Sequence, residues 1–536
     1  MHRLTKPLAI LLAMACSGCL VGRNYTRPEI DVPETWRFED EAAKDTANSE
    51  WWSQFQDPAL DALINEGLEA NKDILIAAAR IQEFAGRLQT TRSELFPQIN
   101  ANASGARARS PHPVIPKASP ATEARSAAGL LQLIKAFITG VPASTFTSSG
   151  LGAASAQASA GPSIKNPANT FQAGLDGSWQ IDLWGRIRRA TESARADLLA
   201  TEDAKRGVIL SVATSIATAY VNLRGLDRQL EIASATATSR EQSYNLFKLR
   251  YDAGVISELE LSQTKALYEQ ALATVPVLVR AVAQQENALS VLLGRNPGPI
   301  ERGTPLEKLV FPAVPEGLPS SLLENRPDIV QAEHQLISAN ALVGAAQAQY
   351  FPSISLTGAY GWASDSLSHL FSGDNKHWDY AVPVTTPIFT GGRIAGQVRS
   401  ARAVRDETLI TYRQTIQTAF REVEDALINQ RTTREQLAAI EREVEALRKY
   451  AYFARRRFDN GYTSYIEVLD AERTLFGAEL SAAQTRAALF QALVGVYQAM
   501  GGGWIVEAEQ TPETPAQCPK AQAGVDSPSG GEHVVE

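Results

Sequence analysis

The chain has 536 residues, of which 44% are hydrophobic and 21% charged, so it can bury a sizeable core. Its 51 basic and 59 acidic residues give a formal net charge of −8 without a basic cluster, which argues against nucleic acid as a partner. Its 3 Cys and 6 scattered His exclude a disulfide scaffold and argue against a metal site, so we predict no metal.

The first residues have the composition of an export signal. An apolar run from Leu8 to Ala15 follows two basic residues and leads through small residues to Cys19. The run is too short to span a membrane, which takes ~20 apolar residues. The site is similar to a bacterial lipoprotein cleavage site, so we predict a signal peptide over 1–18 and a lipid-anchored segment over 19–50. An ordinary secretory signal with an incidental cysteine is the alternative.

The rest of the chain contains one sequence unit twice. Phe96-Pro97 recurs as Phe351-Pro352 at an offset of 255, whereas Gly185-Arg186-Ile187 recurs as Gly392-Arg393-Ile394 at an offset of 207. The first copy therefore has an insertion, which falls in an Ala-, Ser-, Pro- and Gly-rich segment that we predict to be a long loop. The predicted divisions are a first structural repeat over 51–295 with the loop at 105–170, a linker over 296–320, a second repeat over 321–504 and a disordered tail over 505–536.

Each repeat contains a pair of segments in which apolar or small residues alternate with polar ones. The longest runs from Phe171 to Leu183. This alternation is typical of a transmembrane β-barrel strand, and a half-buried strand of a soluble sandwich is the alternative. Predicted strands cover about 96–105, 171–184, 351–362 and 378–388. Pro383 and Pro387 weaken the last strand, so we predict that it ends early or bends.

Long helices are predicted from proline-free stretches with a coiled-coil period. Apolar residues follow a 3,4 alternation from Ile209 to Tyr251, with Arg240 as the one charged member. An unbroken helix from Gly185 to Tyr251 would be roughly 100 Å long. We predict long helices over about 187–294 and 393–500, interrupted by turns at Gly254 and Gly461.

Four predicted strands are too few to close a barrel. Open sheet edges are not tolerated in lipid, because their backbone groups would have no hydrogen-bond partners. We therefore predict that other copies of the chain complete the sheet, in a symmetric oligomer with a shared barrel and a shared helical tube.

Seven short motifs lie between Cys19 and about Trp504. They are Cys19 to Pro28, Trp51 to Pro58, Asn71 to Ile74, Ile181 to Arg186, Arg326 to Ile329, Phe351-Pro352 and Pro387 to Arg393. Taken together, these motifs resemble those of one family, the TolC-type outer-membrane factors of the lipoprotein branch.

The resemblance implies a mixed α+β membrane channel. Three identical chains would form a 12-stranded transmembrane β-barrel in the outer membrane, continued by a long periplasmic α-helical coiled-coil barrel. The implied function is the outer-membrane channel of a tripartite efflux system, which passively conducts small molecules. The implied partners are a periplasmic adaptor (membrane fusion) protein and an inner-membrane pump of the resistance–nodulation–division class. A conduit for type I protein secretion and a soluble coiled-coil adaptor are the alternatives.

The resemblance also implies roles for two groups of residues near the hairpin turns. Ile466 and Asp470, one helical turn apart, match family positions that narrow the periplasmic end as an apolar and an acidic ring. Packing in the helical seam and a solvated charge are the alternatives for these two residues. The turns that would contact the adaptor contain Asp252, Gly254, Ser257, Asp459, Gly461 and Ser464.

Catalysis is not predicted. The sequence has no Gly-x-Ser-x-Gly elbow, no His-Glu-x-x-His pair and no Gly-x-x-x-x-Gly-Lys loop. We therefore predict neither catalytic residues nor a cofactor, apart from the covalent lipid on Cys19.

Overall fold

The structure is a computed structural model that describes residues 20–30, 32–33, 36–37, 51–109, 167–311 and 319–501. The predicted signal peptide, Cys19, the tail and all but the ends of the long loop lie outside the described residues. The chain divides into two compact units, one helical and one composed of strands. The strand unit comprises 94–182 and 352–387, and the helical unit contains the remainder.

The helical unit is dominated by two very long helices, each followed by a shorter return helix. Both long helices contain 67 residues and would be about 100 Å long at 1.5 Å per residue. In chain order the helices are α1 (Pro58–Ala70), α2 (Lys72–Ser93), α3 (Arg186–Asp252), α4 (Glu258–Leu292), α5 (Pro319–Asn325), α6 (Pro327–Ala348), α7 (Arg393–Asp459) and α8 (Tyr465–Ala499).

Corresponding helices of the two halves have equal lengths and begin at the sequence offsets. Helices α3 and α7 begin 207 residues apart, as do α4 and α8, which have 35 residues each. Helices α2 and α6 begin 255 residues apart and have 22 residues each. The register of matching residues therefore also sets where each helix starts and stops.

The main core surrounds aromatic residues contributed from distant parts of the chain. The ring of Trp51 is fully buried and stacks on Tyr497 at a centroid distance of 5.0 Å. The Tyr220 hydroxyl donates to the Asp57 carboxylate at 2.8 Å and accepts from the Gly303 backbone N–H at 3.0 Å. Asp57 also caps the N-terminus of α1. These buried hydrogen bonds hold the start of α1 against the middle of α3.

The predicted apolar alternation along α3 agrees with its burial in part, since Tyr251 at its end is exposed and α3 buries further sides between Leu210 and Gly225. Arg240, the charged member, is itself only 4% exposed. Buried members of the alternation are Val212, Ile216, Leu223, Ala233, Ala237, Arg240 and Phe247.

The strand unit is one antiparallel sheet. Its order is β1-β2-β3-β4, and β5 pairs with β3 beyond the end of β4. Directly opposed residues share a face, so Ala101, Leu175, Tyr360 and Trp378 lie in one row. The rows alternate between apolar or aromatic residues and polar ones such as Asn100, Asp176 and Asp379. The strands are β1 (Gln98–Ala108), β2 (Ala168–Ile181), β3 (Ser353–Ser364), β4 (Lys376–Ala381) and β5 (Val384–Thr385).

The predicted strand at 378–388 is interrupted at Pro383, in agreement with the bend or early end that its prolines predict. It begins at Lys376 and divides into β4 and β5 around Pro383. The Ser355 N–H donates to the Pro383 carbonyl at 3.1 Å, but proline has no N–H to complete the pair. The other strands also differ from the predicted limits: β1 and β3 begin directly after Pro97 and Pro352, and β2 ends at Ile181 instead of 184.

Helices α3 and α4 are long enough and apolar enough over 18 residues to cross a membrane by length and composition alone. Half of that window in α3 is buried inside the chain, as in a core helix. The two helices pack against each other along their length. For α3 we therefore attribute the apolar composition to packing within the helical unit.

We expect Tyr220→Phe to lower the free energy of unfolding by about 1–3 kcal/mol, because it leaves the buried Asp57 carboxylate and the Gly303 N–H without this partner. The matched control is Tyr462→Phe, since Tyr462 is 77% exposed and should change stability by less than about 0.5 kcal/mol. Urea unfolding of the purified protein measures both. Equal stability of the two variants would contradict this account of the core.

Candidate functional site

The two predicted turns join long helices to their return helices with the same geometry. At the first, the Gly254 N–H donates to the Tyr251 carbonyl at 2.8 Å and the Val255 N–H to the Arg250 carbonyl at 2.9 Å. At the second, Gly461 and Tyr462 make the corresponding bonds to Phe458 and Arg457 at 2.8 and 2.9 Å. This pair of bonds is the Schellman motif, which satisfies the carbonyls at a helix C-terminus.

Glycine is required at both turns by the backbone. Gly254 has φ +73° and Gly461 has φ +75°, in the left-handed region that a Cβ disfavours. A Cβ at either position would meet nothing within 4 Å among the described residues. The constraint is therefore conformational and leaves the surface around the turns open.

The predicted serines begin the return helices. Ser257 caps α4 in a capping box: its backbone N–H donates to the Glu260 carboxylate at 2.9 Å, and its hydroxyl accepts from the Glu260 N–H at 3.4 Å. Ser464 occupies the same place before α8, but its side chain makes no capping bond. There the Glu467 carboxylate pairs instead with Arg457 at 2.9 Å and with the Thr463 hydroxyl. The two turns share a backbone but differ in how their acidic residues are held.

An aromatic cluster packs the two hairpins of one chain together behind the turns. Phe247 of α3 lies 4.1 Å from Tyr465 of α8 between ring centroids, and Phe458 of α7 lies 4.9 Å from Tyr465. Phe247 is fully buried and Tyr465 nearly so. This cluster fixes both turns with respect to each other.

The turns themselves expose apolar side chains. Val255 is 72% exposed and Tyr462 is 77% exposed, at equivalent positions of the two Schellman motifs. Asp252 and Asp459, the last residues of α3 and α7, are also exposed. Solvent-exposed apolar residues on a rigid scaffold are typical of a contact surface for another protein.

Ile466 and Asp470 lie one turn apart on α8, on the side away from the cluster. Ile466 is 60% exposed, whereas the neighbouring Tyr465, Val468 and Leu469 are buried. Ile466 is therefore far more exposed in the single chain than the three seam residues beside it. The Asp470 carboxylate is exposed and pairs with Arg473 at 2.8 Å.

A buried charged group above the turns was not predicted as a site. Arg240 of α3 donates to the Leu267 carbonyl of α4 at 2.9 Å and to the Glu472 carbonyl of α8 at 3.4 Å. Its guanidinium also lies over the ring of Phe476, 5.1 Å from the centroid. One side chain thus connects three helices. The signal was present in the sequence, since Arg240 interrupts an otherwise apolar alternation.

The charge of Arg240 is balanced by a chain of ionisable side chains that leads to the second turn. The Glu472 carboxylate lies 3.7 Å from Arg455, which also pairs with Asp459 at 3.6 Å. Burial raises the pKa of Glu472, although Arg455 and Arg240 act in the opposite direction. Burial lowers the pKa of Arg240 against the attraction of Glu472. Asp459 at the turn is therefore connected through Arg455 to the buried group.

Cys19 lies outside the described residues, so its place in the structure is not defined. Within the described ranges, no cluster of three or more His, Cys, Asp or Glu side chains could hold a metal ion.

The chain matches the family described as outer membrane efflux protein over residues 146–295 and 318–502. It is 33% identical over 509 residues to the solvent efflux pump outer membrane protein SrpC of Pseudomonas putida, covering 94% of this chain and 99% of that protein. It is 31% identical over 504 residues to the cation efflux system protein CusC of Escherichia coli O6:H1, covering 93% of this chain and 99% of that protein.

Solved structures of outer-membrane channels are similar over nearly the whole chain. The channel OprN superposes with a TM-score of 0.76 at 27% identity, covering 91% of this chain and 100% of that one. The open state of the MtrE channel of Neisseria gonorrhoeae superposes with a TM-score of 0.74 at 28% identity, covering 91% and 99%. Sequence and fold therefore point to the same kind of protein.

We expect Gly461→Ala to destabilise the second turn by about 1 kcal/mol, because alanine disfavours the left-handed backbone. The control is Gly477→Ala inside α8, where a Cβ meets open space and should stabilise the helix by roughly 0.5–1 kcal/mol. Amide hydrogen exchange over residues 457–465 measures the local effect. Unchanged exchange in Gly461→Ala would show that the turn does not depend on glycine.

Proposed function

Because this chain belongs to the outer membrane efflux protein family, we propose that three copies form one channel with a 12-stranded barrel and a periplasmic helical tube. The chain is an outer-membrane channel component of an efflux system, and its fold is that of TolC-like outer-membrane channels. Such components function together with an adaptor and an inner-membrane pump.

The observation that carries the trimer is that the sheet is open among the described residues. There the strands lie four abreast, with β5 following β4, and have one apolar and aromatic set of rows and one polar set. Every residue of β1 and β4, at the two ends of the order, is exposed in the single chain. A bilayer has no water to satisfy such edges, and only a closed barrel removes them. Three chains with four strands each give the twelve strands of the proposed barrel.

The internal duplication supports the proposed helical tube in the same way, through repeated elements. We propose that each chain arose from two copies of one unit, since its long and return helices occur twice with equal lengths. Three chains would then contribute twelve long and return helices with a coiled-coil period. A wall assembled from repeated helix pairs can enclose a wide passage, which suits passive conduction of small molecules.

The adaptor would dock at the hairpin turns. Asp252, Gly254 and Ser257 at the first turn and Asp459, Gly461 and Ser464 at the second form the proposed contact surface. Support comes from the exposed apolar residues that both Schellman motifs present. The pump would be of the resistance–nodulation–division class, as in the family that the sequence resembles.

Ile466 and Asp470 would narrow the periplasmic end as two stacked rings. Support comes from the exposure of both side chains, one helical turn apart on α8. Three Asp470 carboxylates would attract cations, and the Arg473 partner at 2.8 Å would weaken that attraction in part.

Cys19 would carry the covalent lipid and tether the start of the mature chain to the outer membrane. Support comes from the signal-like residues before it and from Leu20 after it, because an Asp in that place usually signals retention at the inner membrane. Relatives named for solvents and for cations are similarly close to this chain. We therefore assign substrate choice mainly to the pump.

Reconstitution in a planar lipid bilayer tests both the channel and the gate. The purified protein should run as a heat-sensitive trimer and conduct ions. We expect Asp470→Ala to raise the single-channel conductance or to lower the cation preference roughly twofold, since an acidic ring is lost. Glu435→Gln, an exposed acidic residue in the middle of α7, is the control and should leave both unchanged. Recordings of Asp470→Ala that match the wild type would contradict the gate, and a protein that conducts nothing would contradict the channel.

We expect Cys19→Ser to reduce sorting to the outer membrane more than it reduces conduction, because the barrel itself holds the protein in the lipid. Incorporation of labelled fatty acid into the wild type, and its loss in the variant, measures the lipidation. Absence of label in the wild type together with normal sorting of the variant would show that Cys19 is not an anchor.

A further inference from the structure

The repeat inside the sheet defines how two copies of the chain would join. We propose that the β4–β5 edge of one copy pairs antiparallel with β1 of the next, with Val384 opposite Ala103 of that next copy. This joint rests on the trimeric barrel proposed above and adds the strands, the direction and the residue register of the contact.

The first support is that strand register already repeats within one chain. Gln98 of β1 is opposite Ser178 of β2. Moving the first forward by 255 and the second by 207 gives Ser353 and Thr385, and these two are opposite each other between β3 and β5. Ala103 opposite Ala173 likewise becomes Gly358 opposite Tyr380, which is the observed pair between β3 and β4. The offsets that relate the sequences therefore also relate the pairings.

The remaining observed pairing is that of β2 with β3, and its repeat counterpart is missing from the single chain. Gly177 is opposite Gly358 in this pairing. Moving Gly177 forward by 207 gives Val384, and moving Gly358 back by 255 gives Ala103. These residues lie on β5 and β1, at opposite ends of the strand order, so only a second copy can bring them together.

The backbone of the β4–β5 edge is suited to this joint. Pro383 accepts a hydrogen bond from Ser355, so its backbone groups point toward β3. The register to β3 is the same on both sides of this proline, from Thr357 opposite Ala381 to Ile354 opposite Val384. Alternate residues of an antiparallel strand point to opposite sides, so Val382 and Val384 present their N–H and carbonyl groups to the free edge. Pro383 therefore removes a hydrogen bond from the pairing with β3 and none from the proposed pairing with β1 of the next copy.

The free edge of β1 presents the complementary residues. The pair of Asn100 with Asp176 corresponds, through the two offsets, to the hydrogen-bonded pair of Ser355 with Pro383. The backbone N–H and carbonyl of Asn100 therefore point toward β2. Because this direction alternates along a strand, the backbone groups of Ala101 and Ala103 point to the free edge. Neither is proline, so each has an N–H to donate.

The faces of the sheet give an independent check. Ala103 shares the apolar face through its observed partner Ala173, and Val384 shares that face through its partner Ile354. A slip of one residue would place polar positions on the apolar face, which is why register is strongly specified in such sheets. The proposed joint keeps the two faces continuous around the ring.

Cysteine cross-linking tests the register. Ala106 and Ala381 correspond to the observed pair of Gly361 with Gly174, so they would face each other across the joint without hydrogen bonds. Opposed residues of this type lie about 4.5 Å apart between Cα atoms, within the range of a disulfide. The double variant Ala106→Cys with Ala381→Cys, with Cys518 replaced by serine, should form covalent dimers and trimers on oxidation in membranes. The pair Asn102→Cys with Thr385→Cys, in register by the same mapping, should do the same.

Two double variants that are out of register provide the matched controls. Ala381→Cys combined with Ser104→Cys or with Ala108→Cys keeps the same face but shifts the pairing by two residues, and should cross-link at least about 5-fold less. Stronger cross-linking of either control would overturn the register while leaving the trimer in place. Heat-sensitive trimers without a cross-link in any pair would overturn the β1 to β4–β5 joint. A protein that remains a single chain before oxidation would instead contradict the proposed trimer.

Discussion

The structure depends on one constraint: a sheet with unpaired edges cannot remain in lipid. In the described part of the chain, the five strands lie four abreast, with one face of apolar or aromatic residues and one of polar residues. Each backbone N–H and carbonyl at the ends of this sheet would be costly without a partner. This cost is the reason for our proposal that further copies of the chain close the sheet.

In the helical unit, two features matter most: how the very long helices terminate, and how the two hairpins are held together near their turns. Gly254 and Gly461 reverse the chain at equivalent positions, and their carbonyl partners are satisfied by the same two bonds. Phe247, Tyr465 and the buried Arg240 then connect the hairpins behind the turns. A firmly packed base leaves Val255 and Tyr462 free to contact another protein.

The sequence predicted much of this because local chemistry and repetition are both visible in residue order. The 207-residue offset located Gly461 from Gly254, and the 3,4 alternation identified part of the buried surface of α3. Pro383 and Pro387 predicted a bend or an early end of the last strand, but not that β5 pairs with β3 again beyond Pro383, because that depends on the neighbouring strand. The contacts of Glu472 with Arg455 and Arg240 were also missed, since they join residues from different helices.

The sequence by itself determined the duplication pattern of residues, the approximate extent of the long helices and the glycine turns, because these follow from periodicity and backbone preference within short stretches. Only the tertiary structure decided that Ile466 is exposed beside buried neighbours, and that Ser355 and Pro383 point toward each other. The physical reason is that burial and hydrogen-bond direction are set by which elements lie side by side. The amino-acid sequence shows which elements lie side by side only where the internal repeat supplies matching residues.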